Sequence, residues 1–137
     1  MLKLNYFLAD IFILSAEKQP IKLSWRKIEW LRKSGKYELC ISSLSFTTIF
    51  YVLKKICEHD KLMGLLEKLQ SLSDVLPVNA EIIQSAIESD FTDFEDAVQY
   101  YSATAAGCQV IITRNAKDFT TANIPVYTPA EFLNIQD

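Results

Sequence analysis

Histidine is almost missing from this chain: 137 residues contain one, His59. That scarcity excludes a two-histidine ribonuclease, a histidine-rich metal site and an HExxH zinc peptidase, and a Ser-His-Asp triad would need His59 itself. Glycine is nearly as scarce, with three residues, so no glycine-rich loop can cradle a nucleotide phosphate. The cysteines (Cys40, Cys57, Cys108) are odd in number and form no CxxC pair, which argues against a disulfide framework or zinc knuckle and for reduced core thiols. No apolar run reaches the roughly 18 residues of a membrane span. The opening MLKLNYFLADIFILSA is interrupted by Asn5 and Asp10 with no A-x-A site after it, so it reads as a first strand ending at Asp10 rather than a signal peptide. The expectation is a cytoplasmic protein without a membrane segment. At 50% apolar and 23% charged, the composition is globular, and the length predicts one domain over 1–137.

Charge is unevenly placed. Residues 1–72 carry 12 Lys and Arg against 7 Asp and Glu, whereas residues 73–113 carry 7 Asp and Glu and no Lys or Arg. Self-repulsion in such a block opposes compactness. Either these acids form a solvated face, or some of them gather to hold a cation.

Periodicity predicts alternating strands and helices. Residues 3–9 read as a buried strand, 22–34 as a basic helix stopped by Gly35, and 37–41 as a short strand. Ser42 or Ser43 caps a helix through about Cys57, and Asp60 opens another to Leu72. Residues 74–78 form a strand that Pro77 assigns to a sheet edge. Asn79 caps a helix to Glu88. Thr92 and Glu95 have the spacing of a capping box opening a helix from 93 to 106, with Gly107 as its stop. A strand over 109–113, a loop RNAKDF, a strand over 125–127 and a Thr128–Glu131 capping box with proline at the first helical position complete the pattern. The alternation predicts a three-layer α/β/α fold with a central parallel sheet.

In such a sheet the reactive crevice lies outside the carboxyl ends of the strands. Asp10 ends the first strand. Asp93 and Asp96 stand three apart in the first turn of one helix and so share a face. Asn115 and Asp118 follow the 109–113 strand. Carboxylates within about 4 Å repel by roughly 4 kcal/mol per pair at an effective dielectric near 20, so they must take up protons or bind a cation. Oxygen donors without His or Cys select a hard ion, Mg²⁺ or Mn²⁺, which suits phosphodiester cleavage. The candidate metal ligands are Asp10, Asp93, Asp96 and Asp118, with Asn115 joining Asp10, Asp96 and Asp118 as candidate catalytic residues. Arg114 and Lys117 are candidate phosphate contacts, and the basic residues of 22–36 would hold the phosphate backbone of such a substrate. Each has a plainer reading: Asp93 complements the helix dipole, Asp118 sits in a turn, and the lysines form a solvated face. Ser43 and Ser45 read as caps, Tyr100 and Tyr101 as core or contact residues.

The stretch DFTDFEDAVQYYSATAAGCQVIITRNAKDF, from Asp90 to Phe119, closely resembles the C-terminal signature of PIN-domain proteins. LCISSLSFTTIFYVLKK before it and IPVYTPAEFL after it are similar to the same bacterial subgroup, and the resemblance covers about residues 36–134. It implies a Rossmann-like α/β/α sandwich and a Mg²⁺- or Mn²⁺-dependent endoribonuclease. It also implies the toxin of a type II toxin–antitoxin pair, with RNA as substrate and a cognate antitoxin and a second copy as partners. By motif, Asp96 matches the helix-borne metal aspartate. Asn115 and Asp118 match the acidic positions after the last long strand, where many members carry aspartate in place of Asn115. Asp93 matches an auxiliary acid. Two departures stand out. The start reads FLADIFIL, so Asp10 lacks the hydroxyl or amide residues that follow it in the family, and another register sets Ala9 or Lys3 opposite the aspartate. Thr47 or Thr48 stands where many members have glutamate. These departures keep open an alternative: a weak or inactive PIN-like protein serving as an RNA- or protein-binding module.

Overall fold

The structure, a computed structural model, describes residues 4–8, 33, 35, 37–113, 116–119 and 122–135. The expected basic helix over 22–34 lies outside the described residues apart from Lys33, which is helical and exposed. Gly35 follows in a turn at φ +76°, the left-handed conformation that a glycine helix stop supplies.

Five strands pair in the order β3-β2-β1-β4-β5, every pairing parallel. They are β1 (Leu4–Leu8), β2 (Tyr37–Ser42), β3 (Asp74–Leu76), β4 (Val110–Ile112) and β5 (Val126–Tyr127). The chain builds outward from β1 to β3 on one side, then returns to lay β4 and β5 on the other. The switch point therefore falls between β1 and β4, where Leu8 pairs with Ile112. A parallel sheet of this kind opens its crevice at the carboxyl ends of those two strands. As Pro77 implied, β3 is an edge strand; it stops at Leu76, one residue short of the proline that would deprive the ladder of a donor.

Strand alternation gives the sheet two buried faces. Leu39, Ile41, Val110 and Ile112 pack on one side with Ile49 and Leu53 of α1 (Ser43–Leu53), Leu62 and Leu69 of α2 (His59–Leu72), and Phe132 of α5 (Pro129–Ile135). Cys40, Leu76 and Ile111 pack on the other with Tyr100 and Ala103 of α4 (Phe94–Ala105) and with Phe119. Beyond them, α3 (Ala80–Glu88) seats Ile82 and Ala86 on Ala97 and Val98. Helices on both faces make the expected α/β/α sandwich. Cys40 and Cys108 are buried thiols in this second core, and Cys57 is half-buried. Their mutual hydrogen bond and burial push the Cys40 thiol well above its ordinary range.

Most helix boundaries follow their signals, and where they differ the cause is local. Ser42, not Ser43 or Ser45, caps α1, its Oγ accepting from Leu44 N at 3.1 Å. That helix ends at Leu53 rather than Cys57; the amides of Ile56 and Cys57 both donate to the Leu53 carbonyl and tighten the chain into a turn. The expected loop after β4 contains a 3-10 turn over Ala116–Phe119, which plants Phe119 in the core. Asn79 caps α3 as expected, and α5 opens with the full reciprocal box: Thr128 N donates to Glu131 Oε1 at 2.9 Å and Glu131 N to Thr128 Oγ1 at 3.2 Å. The Thr128 backbone N–H, with the Thr128 hydroxyl beside it, holds the Glu131 carboxyl below its ordinary value. At the end of α4, Gly107 N donates to Thr104 O and Cys108 N to Ala103 O, with Gly107 at φ +74°, a Schellman stop. No helix among the described residues is long and apolar enough to cross a membrane.

Candidate active site

Helix α4 carries the acidic signature to the crevice end of the sheet. Its N-cap is Asp93 rather than Thr92: Asp93 Oδ1 accepts from Asp96 N at 2.9 Å. Aspartate wins this place because its carboxylate reaches the third amide of the helix and complements the dipole, a cap worth about 1 kcal/mol. The Thr92–Glu95 box is accordingly not the cap. Glu95 is instead left beside the Asp93 charge, largely exposed, and partial burial together with Asp93 holds its carboxyl above the ordinary value of 4.5.

That shift has a signed consequence. A carboxyl whose value rises on folding supports the fold fully below its unfolded value and loses that support as pH rises through the folded one. Replacing Glu95→Gln is expected to raise the melting temperature slightly at pH 7, on the order of one degree given the solvent exposure. The gain shrinks toward zero below pH 4.5, as paired thermal melts across that range will show.

Asp96 is half-buried in the first turn of α4. One turn further along, Gln99 is wholly buried, and its Nε2 donates to Ser45 Oγ at 3.0 Å. Ser45 is the third residue of α1, which begins where β2 ends. The bond therefore ties the Asp96-bearing end of α4 to the carboxyl edge of the sheet. Neither Gln99 nor Ser45 was singled out for this role by sequence; the one available signal was an amide one helical turn from Asp96. Thr113, just past β4, is buried, and its N–H donates to Tyr127 O at 2.9 Å, carrying the ladder to the very edge of the crevice.

Asp118 and Lys117 occupy the 3-10 turn beyond β4, both exposed. The turn is held against α4 by Phe91, whose ring lies 5.6 Å from Phe119 and 5.2 Å from Tyr100. Tyr100 is a core residue, as expected, and its hydroxyl accepts from Asn123 N at 3.0 Å. Thr47 and Thr48 both donate to the Leu44 carbonyl, at 2.8 and 3.2 Å, so both hydroxyls are bonded within α1. Asp10, Arg114 and Asn115 lie outside the described residues. Among the described residues no three of His, Cys, Asp and Glu gather closely enough to hold a metal ion. Asp93, Asp96 and Asp118 thus do not make a complete metal nest by themselves. Their chemistry still suits a hard dication, since every donor is a carboxylate oxygen.

A family model described as PIN domain matches residues 11–117. The chain belongs to the PIN-domain family. It is 33% identical over 104 residues to Ribonuclease VapC1 of Aquifex aeolicus, covering 72% of this chain and 71% of that one. Among solved structures it is similar to VapBC2 from Rickettsia felis bound to a DNA fragment from their promoter, with TM-score 0.68 and 18% identity over 90% of this chain and 97% of that one. It is equally similar to VapBC-1 from nontypeable Haemophilus influenzae, with TM-score 0.68 and 17% identity over 93% and 98% of the two chains. At those identities the structural likeness establishes the PIN fold, and the sandwich described above is that fold.

Proposed function

We propose that this PIN-domain protein is a divalent-metal-dependent endoribonuclease and the toxin of a toxin–antitoxin pair. The observation that carries the reading is the half-buried Asp96, set in the first turn of α4 at the crevice end of a parallel sheet, in a chain 33% identical to Ribonuclease VapC1. Asp96 would hold Mg²⁺ or Mn²⁺ with Asp10 and Asp118, and Asn115 would serve as a neutral ligand or orient water. Asp93 is engaged as the helix cap and supports Asp96 through its amide. The chemistry such an ion supplies is Lewis-acid stabilisation of the charge that develops during phosphodiester cleavage. Lys117 and Arg114 would fix the phosphate, with the basic residues of 22–36 gripping the RNA backbone. The antitoxin partner rests on the VapBC neighbours.

Metal removal is the direct test. Purified protein with Mn²⁺ should cut single-stranded RNA, lose that activity in excess EDTA, and regain it when Mn²⁺ is restored. Cleavage that persists in EDTA refutes the metal-dependent reading. A second reading, a binding module without catalysis, is favoured by Thr47 and Thr48, which stand where many PIN-domain proteins carry glutamate and whose hydroxyls bond within α1. Absence of saturable Mn²⁺ binding by calorimetry would select it.

A further inference from the structure

We propose that Gln99 is a positioning residue for Asp96, acting through its buried hydrogen bond to Ser45; this rests on the nuclease reading above. Gln99 and Asp96 stand three apart on α4 and so share a face. Gln99 and Ser45 are each about 1% exposed, and the bond joins helices 54 residues apart in sequence. Because the Ser42 cap on Leu44 N fixes the start of α1, which carries Ser45, at the end of β2, the bond sets the rotation and height of the first turns of α4 against the sheet edge.

Stability alone does not account for an amide here. Gln99 Oε1 is buried with no hydrogen-bond partner among the described residues, and one turn of α4 away the buried Ser102 Oγ is likewise unpartnered. An apolar side chain of similar length would fill the same buried place and leave no unpaired polar atom. A polar group kept at such a cost, one turn from the assigned metal aspartate, is a mark of a functional constraint. A directional bond fixes the helix where apolar contact would let it slide, which matters because ligands of a hard ion tolerate little displacement.

The test pairs Gln99→Met with Ser45→Ala, singly and together, and adds Ser45→Thr, which keeps the hydroxyl, and Asp96→Asn. Mn²⁺ affinity is read by water-proton relaxation, kcat and KM on single-stranded RNA at saturating Mn²⁺, and folding by thermal melts. The double variant should melt no lower than the parent, bind Mn²⁺ about tenfold more weakly and lose kcat with KM nearly unchanged, whereas Ser45→Thr keeps parental values. Each single variant should lose as much Mn²⁺ affinity as the double, since the two residues make one bond. A lower melting temperature with Mn²⁺ affinity and kcat unchanged overturns the proposal and makes the pair merely structural. If Asp96→Asn leaves Mn²⁺ binding and cleavage untouched, the nuclease reading itself fails, and the positioning role falls with it.

Discussion

Asp96→Asn is expected to reduce Mn²⁺-dependent RNA cleavage by at least about 100-fold while leaving the protein folded. The substitution removes one negative charge and keeps the shape. Asp96 is half-buried and contributes no packing that asparagine cannot match, and the cap from Asp93 Oδ1 reaches the Asp96 backbone amide, which the change leaves in place. The melting temperature should therefore move little, and the effect should fall on chemistry. The measurement is cleavage of a labelled single-stranded RNA at saturating Mn²⁺, with circular dichroism melts of both proteins. Undiminished cleavage by folded Asp96→Asn would remove Asp96 from the site. The companion change Asp118→Asn should cost less, because Asp118 is exposed on a short 3-10 turn and is held less firmly than a side chain on a helix.

The largest effect on stability is expected at Ile111. It is 0% exposed, on β4 beside the central strand, and packs against Tyr100, Ala103 and Phe119. Ile111→Ala removes buried methyl groups and leaves a cavity that a sheet braced on both faces cannot collapse to fill. The cost should be about 2–5 kcal/mol, a large share of the total stability of a domain this size, and should lower the melting temperature by roughly 10 °C. Ile87→Ala is the matched control: at 68% exposed it should change stability by less than about 0.5 kcal/mol. Urea titration of both variants separates the two outcomes. Equal losses would mean that burial is not what holds β4 in place.

Local physics made much of this protein legible in its sequence. Caps, stops and strand periodicity depend on residues a few positions apart, so Asn79, the Thr128–Glu131 box, Gly107 and the edge position of β3 could be read before any fold was known. The alternation of strands and helices named the sandwich, and the DFEDA and ITRN motifs pointed to the family that residues 11–117 match. The misreadings were also local. Thr92 and Asp93 are both good caps, and only the register of α4 on the core decides which one the helix starts from. Cys57 fits a helix by pattern, yet α1 stops at Leu53, the last of its buried residues, and the amides of Ile56 and Cys57 then fold back onto that residue's carbonyl.

What the sequence determined by itself was the alternation of strands and helices, and with it the two-faced burial of the sheet by the side chains those elements carry. What only the tertiary structure decided was which of those side chains meet. The Gln99–Ser45 bond spans 54 positions, and no periodicity encodes a partner at that distance. The same holds for the contact of Phe91 with Phe119 that seats the Asp118 turn against α4. Hydrogen bonds and ring contacts act over a few ångströms, so pairs far apart in the chain become neighbours only after the sheet order and the packing of α4 are set.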